Sequence, residues 1–212
     1  MNLKNVLIIG DSYSTFKGYI PDGYAKYYSD AEDAPTDVRD VRQTWWHQVM
    51  SRVESNLVLN NSWSGSTIGF TGYENKDCSK TSSFIYRFEN LAEEGFFDNN
   101  EINTVFIFGG TNDSWSNAPL GEIKLSDWRR EEFFCVLPAI CYLIKKVKET
   151  LPDARIVCII NTDIKDEIRD ALEDASKYYG AEYIRLSDID KLHGHPTVKG
   201  MAQIAEQVIE NL

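Results

Sequence analysis

The sequence predicts a three-layer α/β/α sandwich on a parallel sheet, folded as one domain over residues 1–212. Short apolar runs alternate with segments of helical period, as happens when crossover helices join parallel strands. The runs, such as Val105-Phe106-Ile107-Phe108, contain no alternating polar residues, which suits strands covered on both faces. A chain of 212 residues, 42% hydrophobic and 12% aromatic, is of a size and composition to fill a single core.

Five strands are expected, over 6–9, 57–59, 104–108, 155–160 and 183–186. Between the first two, Trp45 and Trp46 open a helix that carries His47 as a structural residue. Adjacent helical side chains point about 100° apart, so one tryptophan is expected in the core and the other at a pocket. A longer helix is expected over 130–150, with Phe134, Leu137, Cys141, Ile144 and Val147 inward and Pro138 kinking it or delaying its start. The next carries Ile164, Ile168, Leu172 and Ala175, with Asp163 as N-cap and Gly180 as stop. The last buries Val198, Met201, Ala205 and Val208. Two connections are longer than a simple crossover needs. One, over 13–44, is rich in tyrosine and acid and suits binding or gating; the other follows Asn112 and contains Trp115 and Trp128.

The formal net charge of -11 repels phosphate backbones and anionic membranes, so neither nucleic acid nor membrane insertion is expected. No signal-peptide pattern opens the chain, and the reading is of a soluble, cytoplasmic protein. Cys78, Cys135, Cys141 and Cys158 follow no metal spacing and read as buried free thiols. Three histidines with no H-x-x-x-H pair argue against a metal site.

In an open parallel sheet ligands bind outside the carboxyl ends of the strands. Four of those ends carry reactive or donor groups: Asp11-Ser12 after the first strand, Asn60 to Gly65 after the second, Gly110-Thr111-Asn112-Asp113 after the third, and 188–196 after the fifth. Together they supply what acyl transfer requires. Ser12 can serve as nucleophile once a base, His195, takes its proton. The backbone N–H groups of Ser12 and Gly65 and the Asn112 amide make three donors for an oxyanion. A Cβ at Gly65 is expected to obstruct the approach of that N–H to substrate. Asp11 and Asp113 read as carboxylates that bond to loop backbone.

These blocks, in this order, resemble those of the SGNH hydrolases, also called GDSL-like lipases and acylhydrolases. Gly10-Asp11-Ser12 matches the first block, Gly65 the second, Gly110-Thr111-Asn112-Asp113 the third, and His195-Pro196 with Gly200 the last. The resemblance runs from residue 7 to the C-terminus and implies the flavodoxin-like strand order 2-1-3-4-5. It also implies serine ester hydrolysis of a small acyl ester, without cofactor or metal. The family ending D-x-x-H is broken here, because position 192 is Leu. Asp190-Lys191-Leu192-His193 keeps that spacing and makes His193 a rival base, but Pro196 and Gly200 favour His195. The supporting acid is left between Asp190, first choice, Asp188, second, and a Ser-His pair held by a backbone carbonyl. Tyr13, Trp63 and Trp115 are the expected substrate-binding aromatics, and the aromatic, acidic surroundings point to a small acyl group on a sugar.

The competing class is a flavodoxin-like binder whose hydroxyl-rich loop, Ser12, Ser14 and Thr15, cradles a phosphate. It leaves Asn112 and His195 without a role. A degenerate hydrolase that binds acylated sugar without cleaving it is the third reading.

Overall fold

The computed structural model describes residues 3–212. The chain runs β1 (Asn5–Gly10), α1 (Trp45–Arg52), β2 (Asn56–Ser62), α2 (Phe84–Glu93), α3 (Phe96–Asn99), β3 (Thr104–Phe108) and α4 (Thr111–Trp115). It continues through α5 (Val136–Thr150), β4 (Arg155–Ile160), α6 (Asp166–Tyr179), β5 (Glu182–Arg185), a short hairpin of β6 (Lys191–Leu192) and β7 (His195–Pro196), and α7 (Val198–Glu210). Strands β1 to β5 form one parallel sheet in the order β2-β1-β3-β4-β5.

Alternate residues of each strand face opposite layers, and both faces are apolar because both are covered. On one face Val6, Ile8, Phe106, Phe108, Val157 and Ile159 pack with Trp45 and Val49 of α1 and Met201, Ile204 and Val208 of α7. On the other, Leu7, Ile9, Val105, Ile107, Ile156 and Cys158 meet α2, α5 and α6. Order 2-1-3-4-5 places β1 between two strands whose connections leave in opposite directions, which opens a crevice at the carboxyl end of β1. Ser12 lies there.

Some local expectations are corrected. Both Trp45 and Trp46 are buried, Trp45 wholly in the core and Trp46 beneath Tyr19 of the 13–44 connection at 5.0 Å, with its edge on a surface recess shared with Tyr19 and Met50. Asp163 does not cap α6; it is drawn off by the Lys191 ammonium at 2.7 Å, and the helix begins three residues later. The segment over 130–150 is a 3-10 turn, Arg130–Phe134, followed by α5, with Pro138 in the first turn where its missing N–H costs nothing. The cysteines are free, and Cys135 is only half-buried.

Candidate active site

Gly10 ends β1 in a place with no room for a side chain, since a Cβ would lie 2.6 Å from Ser62 Oγ. The chain then enters a 3-10 turn, Ser12–Ser14, capped by Asp11, whose Oδ1 accepts the Tyr13 N–H at 3.0 Å. This turn holds the buried Ser12 hydroxyl 3.0 Å from His195 Nε2.

His195 arrives from the far end of the chain on the β6–β7 hairpin. His193 (φ 50°) and Gly194 (φ 79°) form its two-residue turn, both left-handed as a type I′ connection requires. The turn folds the His193 carbonyl back onto His195 Nδ1 at 3.2 Å. These partners assign the tautomer: Nδ1–H donates to the carbonyl, and Nε2 is left to accept the Ser12 proton. Burial pulls the imidazole below its ordinary 6.5, the His193 carbonyl opposes this, and the Lys191 charge adds to it. The ring is therefore neutral at pH 7 and able to act as a base.

The third element is Asn112, in the first turn of α4 and 3% exposed. Its Nδ2 donates to the Ser66 carbonyl at 3.0 Å, and its Oδ1 accepts the Tyr73 hydroxyl at 2.9 Å. One Nδ2 hydrogen remains for a ligand. Gly65 presents its N–H from an exposed loop with φ 76°. A Cβ there would meet no protein atom within 4 Å, and the left-handed backbone is by itself a reason for glycine.

The sequence pattern of the family described as GDSL-like Lipase/Acylhydrolase matches residues 4–212. The chain belongs to that family. No curated protein matches it. A crystal structure described as a GDSL-like lipase from Bacteroides ovatus shares 39% identity and a TM-score of 0.89, over 98% of this chain and 97% of its own. Another so described, from Bacteroides uniformis, shares 40% identity and a TM-score of 0.89, over 99% and 95%. An acetyl xylan esterase from Butyrivibrio proteoclasticus shares the fold, at 15% identity and TM-score 0.61 over 99% of this chain and 63% of its own. As a member of the GDSL-like family the protein is a carboxylic ester hydrolase that acts on small acyl esters through a serine mechanism with an oxyanion hole.

In this GDSL-like hydrolase Asp190 does not reach the histidine. Its side chain accepts the Thr197 hydroxyl, its N–H donates to Gln203 Oε1 at 2.8 Å, and its carbonyl accepts the Thr197 N–H at 3.1 Å. The cause is the close packing of α7 on this loop: a Cβ at Gly200 would lie 2.0 Å from the Asp190 carbonyl oxygen. Asp188 is exposed, and so is the His193 side chain, which turns only its carbonyl to the site. Among the described residues no carboxylate is hydrogen-bonded to His195; the backbone carbonyl occupies that position.

The predicted aromatics divide. Tyr13 is a correction: it is fully buried, and its hydroxyl donates to the Gly194 carbonyl at 2.5 Å, so it braces the hairpin from below instead of facing substrate. Trp115 is 40% exposed and stands 6.0 Å from the His195 ring, as a wall. Trp63 is half-buried against Tyr24 at 5.1 Å. It lines a cavity of about 590 Å³ beside the edge strand β2, with Tyr19, Pro21, Leu59 and Asn61. Tyr24 also lines a second recess, of about 410 Å³, with Gly65, Tyr73, Lys76 and Ser82.

Two features escaped the sequence reading. Arg87 of α2 is buried and spends all five donors on neutral acceptors: the carbonyls of Ser82, Asn61 and Gly10, Asn61 Oδ1 and Ser66 Oγ. It ties the ends of β1 and β2 to the loop that accepts Asn112. Burial lowers it to about 9, which leaves it cationic at pH 7. Its signal was a lone base three residues after Phe84 and one before Phe88, on an apolar helical stripe. The second feature is Tyr73, whose neighbours Glu74 and Asn75 both have φ 57°. No spacing rule links it to Asn112. The two acids bond to loop backbone, Asp113 to the N–H groups of Ile68 and Gly69 at 2.9 to 3.1 Å. Burial raises Asp113 to about 6 and Asp11 to about 7.

Proposed function

We propose that Ser12 and His195 form a catalytic dyad, supported by the His193 carbonyl, which hydrolyses small acyl esters on carbohydrate. The observation that carries this reading is the 3.0 Å contact between Ser12 Oγ and a buried, neutral imidazole. Ser12 attacks the ester carbonyl as Nε2 takes its proton. The oxyanion is held by the N–H groups of Ser12 and Gly65 and the free Nδ2 hydrogen of Asn112. The imidazolium then protonates the leaving alkoxide, and the acyl-enzyme is released by a water that His195 deprotonates.

Support for a sugar comes from the walls. Tyr24 and Tyr73 are flat, partly exposed rings that share a recess with the hydrogen-bonding groups of Asp22, Lys76 and Ser82, and Trp115 stands partly exposed beside His195. Such a surface stacks and hydrogen-bonds a pyranose better than it holds a long alkyl chain.

Hydrolysis of p-nitrophenyl esters from acetate to octanoate by the wild type, Ser12→Ala and Asp190→Asn tests the chemistry. Acetate is expected to turn over fastest, Ser12→Ala to lose roughly a thousandfold or more in kcat, and Asp190→Asn to stay within a few-fold of the wild type. A loss in Asp190→Asn as deep as in Ser12→Ala would return the acid role to Asp190. Trials with acetyl-xylan, lysophospholipid and acyl-CoA test the substrate, and activity confined to the thioester would refute the sugar.

A further inference from the structure

Tyr27 lies on the imidazole of His195, with ring centroids 3.6 Å apart and planes 17° from parallel. Three further rings surround it: Tyr13 at 5.7 Å, Trp115 at 6.0 Å and Tyr28 at 6.3 Å. The loop is pinned at Tyr27 and at the residue after it. The Tyr27 carbonyl accepts the Thr36 hydroxyl at 2.9 Å, and the next carbonyl, of Tyr28, accepts the Lys17 N–H at 3.0 Å.

The chemistry makes a demand that this arrangement meets. When the imidazole takes the Ser12 proton it becomes a cation in a buried place, with one neutral carbonyl on Nδ1 where a triad enzyme has a carboxylate. The groups that face it from each neighbouring element are few. The hairpin contributes the His193 carbonyl and the Lys191 ammonium, and the latter repels the cation. The turn after β1 contributes the Ser12 hydroxyl and the Tyr13 ring, the 13–44 connection the Tyr27 and Tyr28 rings, and α4 the Trp115 ring. The nearby carboxyl groups are engaged elsewhere: Asp163 pairs with Lys191 at 2.7 Å, Asp37 accepts the Val198 N–H at 2.9 Å, and Asp11 accepts the Tyr13 N–H at 3.0 Å and is pushed towards its neutral form by burial. An aromatic face attracts a cation, and most strongly where water is excluded.

We infer that Tyr27 is a positioning residue that does for the His195 imidazolium what a carboxylate does in a triad: it fixes the plane of the ring and stabilises its charge through its π face. The inference rests on the Ser12 and His195 assignment above. The Tyr27 hydroxyl has no part in it.

The test is an NMR titration of the His195 imidazole, together with kcat and KM, in the wild type, Tyr27→Phe and Tyr27→Leu. Leucine keeps an apolar cover and removes the π face, so it separates charge stabilisation from exclusion of water. Tyr27→Leu is expected to lower the imidazole midpoint and cut kcat roughly tenfold with KM within about twofold, and Tyr27→Phe to restore both. A Tyr27→Leu variant with unchanged midpoint and kcat would overturn the inference. So would a raised midpoint, which would make the ring a cover against water only. Turnover that survives Ser12→Ala in the same assay would instead overturn the parent assignment, while the titration still reads the effect of Tyr27 on His195.

Discussion

Asn112 serves an oxyanion only if its amide is turned so that nitrogen, and not oxygen, faces the ester. The Tyr73 hydroxyl donates to Oδ1 at 2.9 Å and the Ser66 carbonyl accepts from Nδ2 at 3.0 Å, so both partners select the same orientation. Without the hydroxyl the amide loses one of the two contacts that hold it. Tyr73→Phe is therefore expected to lower kcat about tenfold at nearly constant KM, less than the hundredfold or more that loss of an oxyanion donor costs. Steady-state kinetics check this, and thermal unfolding should show little change, because Tyr73 is 42% exposed. Equal kcat in the two proteins would leave the orientation to Ser66 alone.

The β6–β7 hairpin is the element on which the histidine depends. Lys191 anchors its start to Asn161 Oδ1 at 3.2 Å and Thr162 Oγ1 at 2.7 Å, and the Tyr13 hydroxyl anchors its turn at Gly194. Asn161 closes the set, donating to Thr111 beside Asn112 at 3.0 Å. The end of β4, which has no evident reactive group in the sequence, thus joins the histidine hairpin to the asparagine helix. Gly194 has φ 79°, and a Cβ there would stand 2.9 Å from the Trp115 ring. Gly194→Ala is expected to cost about 1–2 kcal/mol in stability through the left-handed backbone, with a larger loss in kcat/KM as Nε2 moves off Ser12. Unfolding curves and kinetics on the same samples compare the two. A kinetic loss no larger than the stability loss explains would free the histidine from the turn geometry.

At the scale of the whole molecule, charge is buried beneath the site. Asp11 has a folded-state value near 7 against an ordinary 3.8, chiefly because burial disfavours the carboxylate. The folded protein therefore binds more protons than the unfolded chain between those values. The stability this contributes is full below about pH 4 and lost as pH rises through 7. Asp11→Asn keeps the cap on the Tyr13 N–H and removes the titration. Relative to the wild type it is expected to gain stability at pH 8 over pH 4, by a few kcal/mol at most. Denaturant unfolding at both pH values checks this, and parallel pH dependences would place the Asp11 charge in a better-solvated state than its burial implies.

The sequence by itself determined the layered architecture, because apolar runs without alternation require cover on both faces, as the run Val105 to Phe108 shows. It also determined the inventory after the first three strands, since Ser12, Gly65 and Asn112 lie within a few residues of strand ends that periodicity marks. Only the tertiary structure decided what touches His195. Asp190 is near it in sequence, yet is turned to Thr197 by the packing of α7, while Tyr27, 168 residues away, is laid on the ring by a loop without periodicity. Local spacing fixes what the backbone within an element can do. Partners that meet across elements are chosen by how those elements pack, and that is written in the whole core at once.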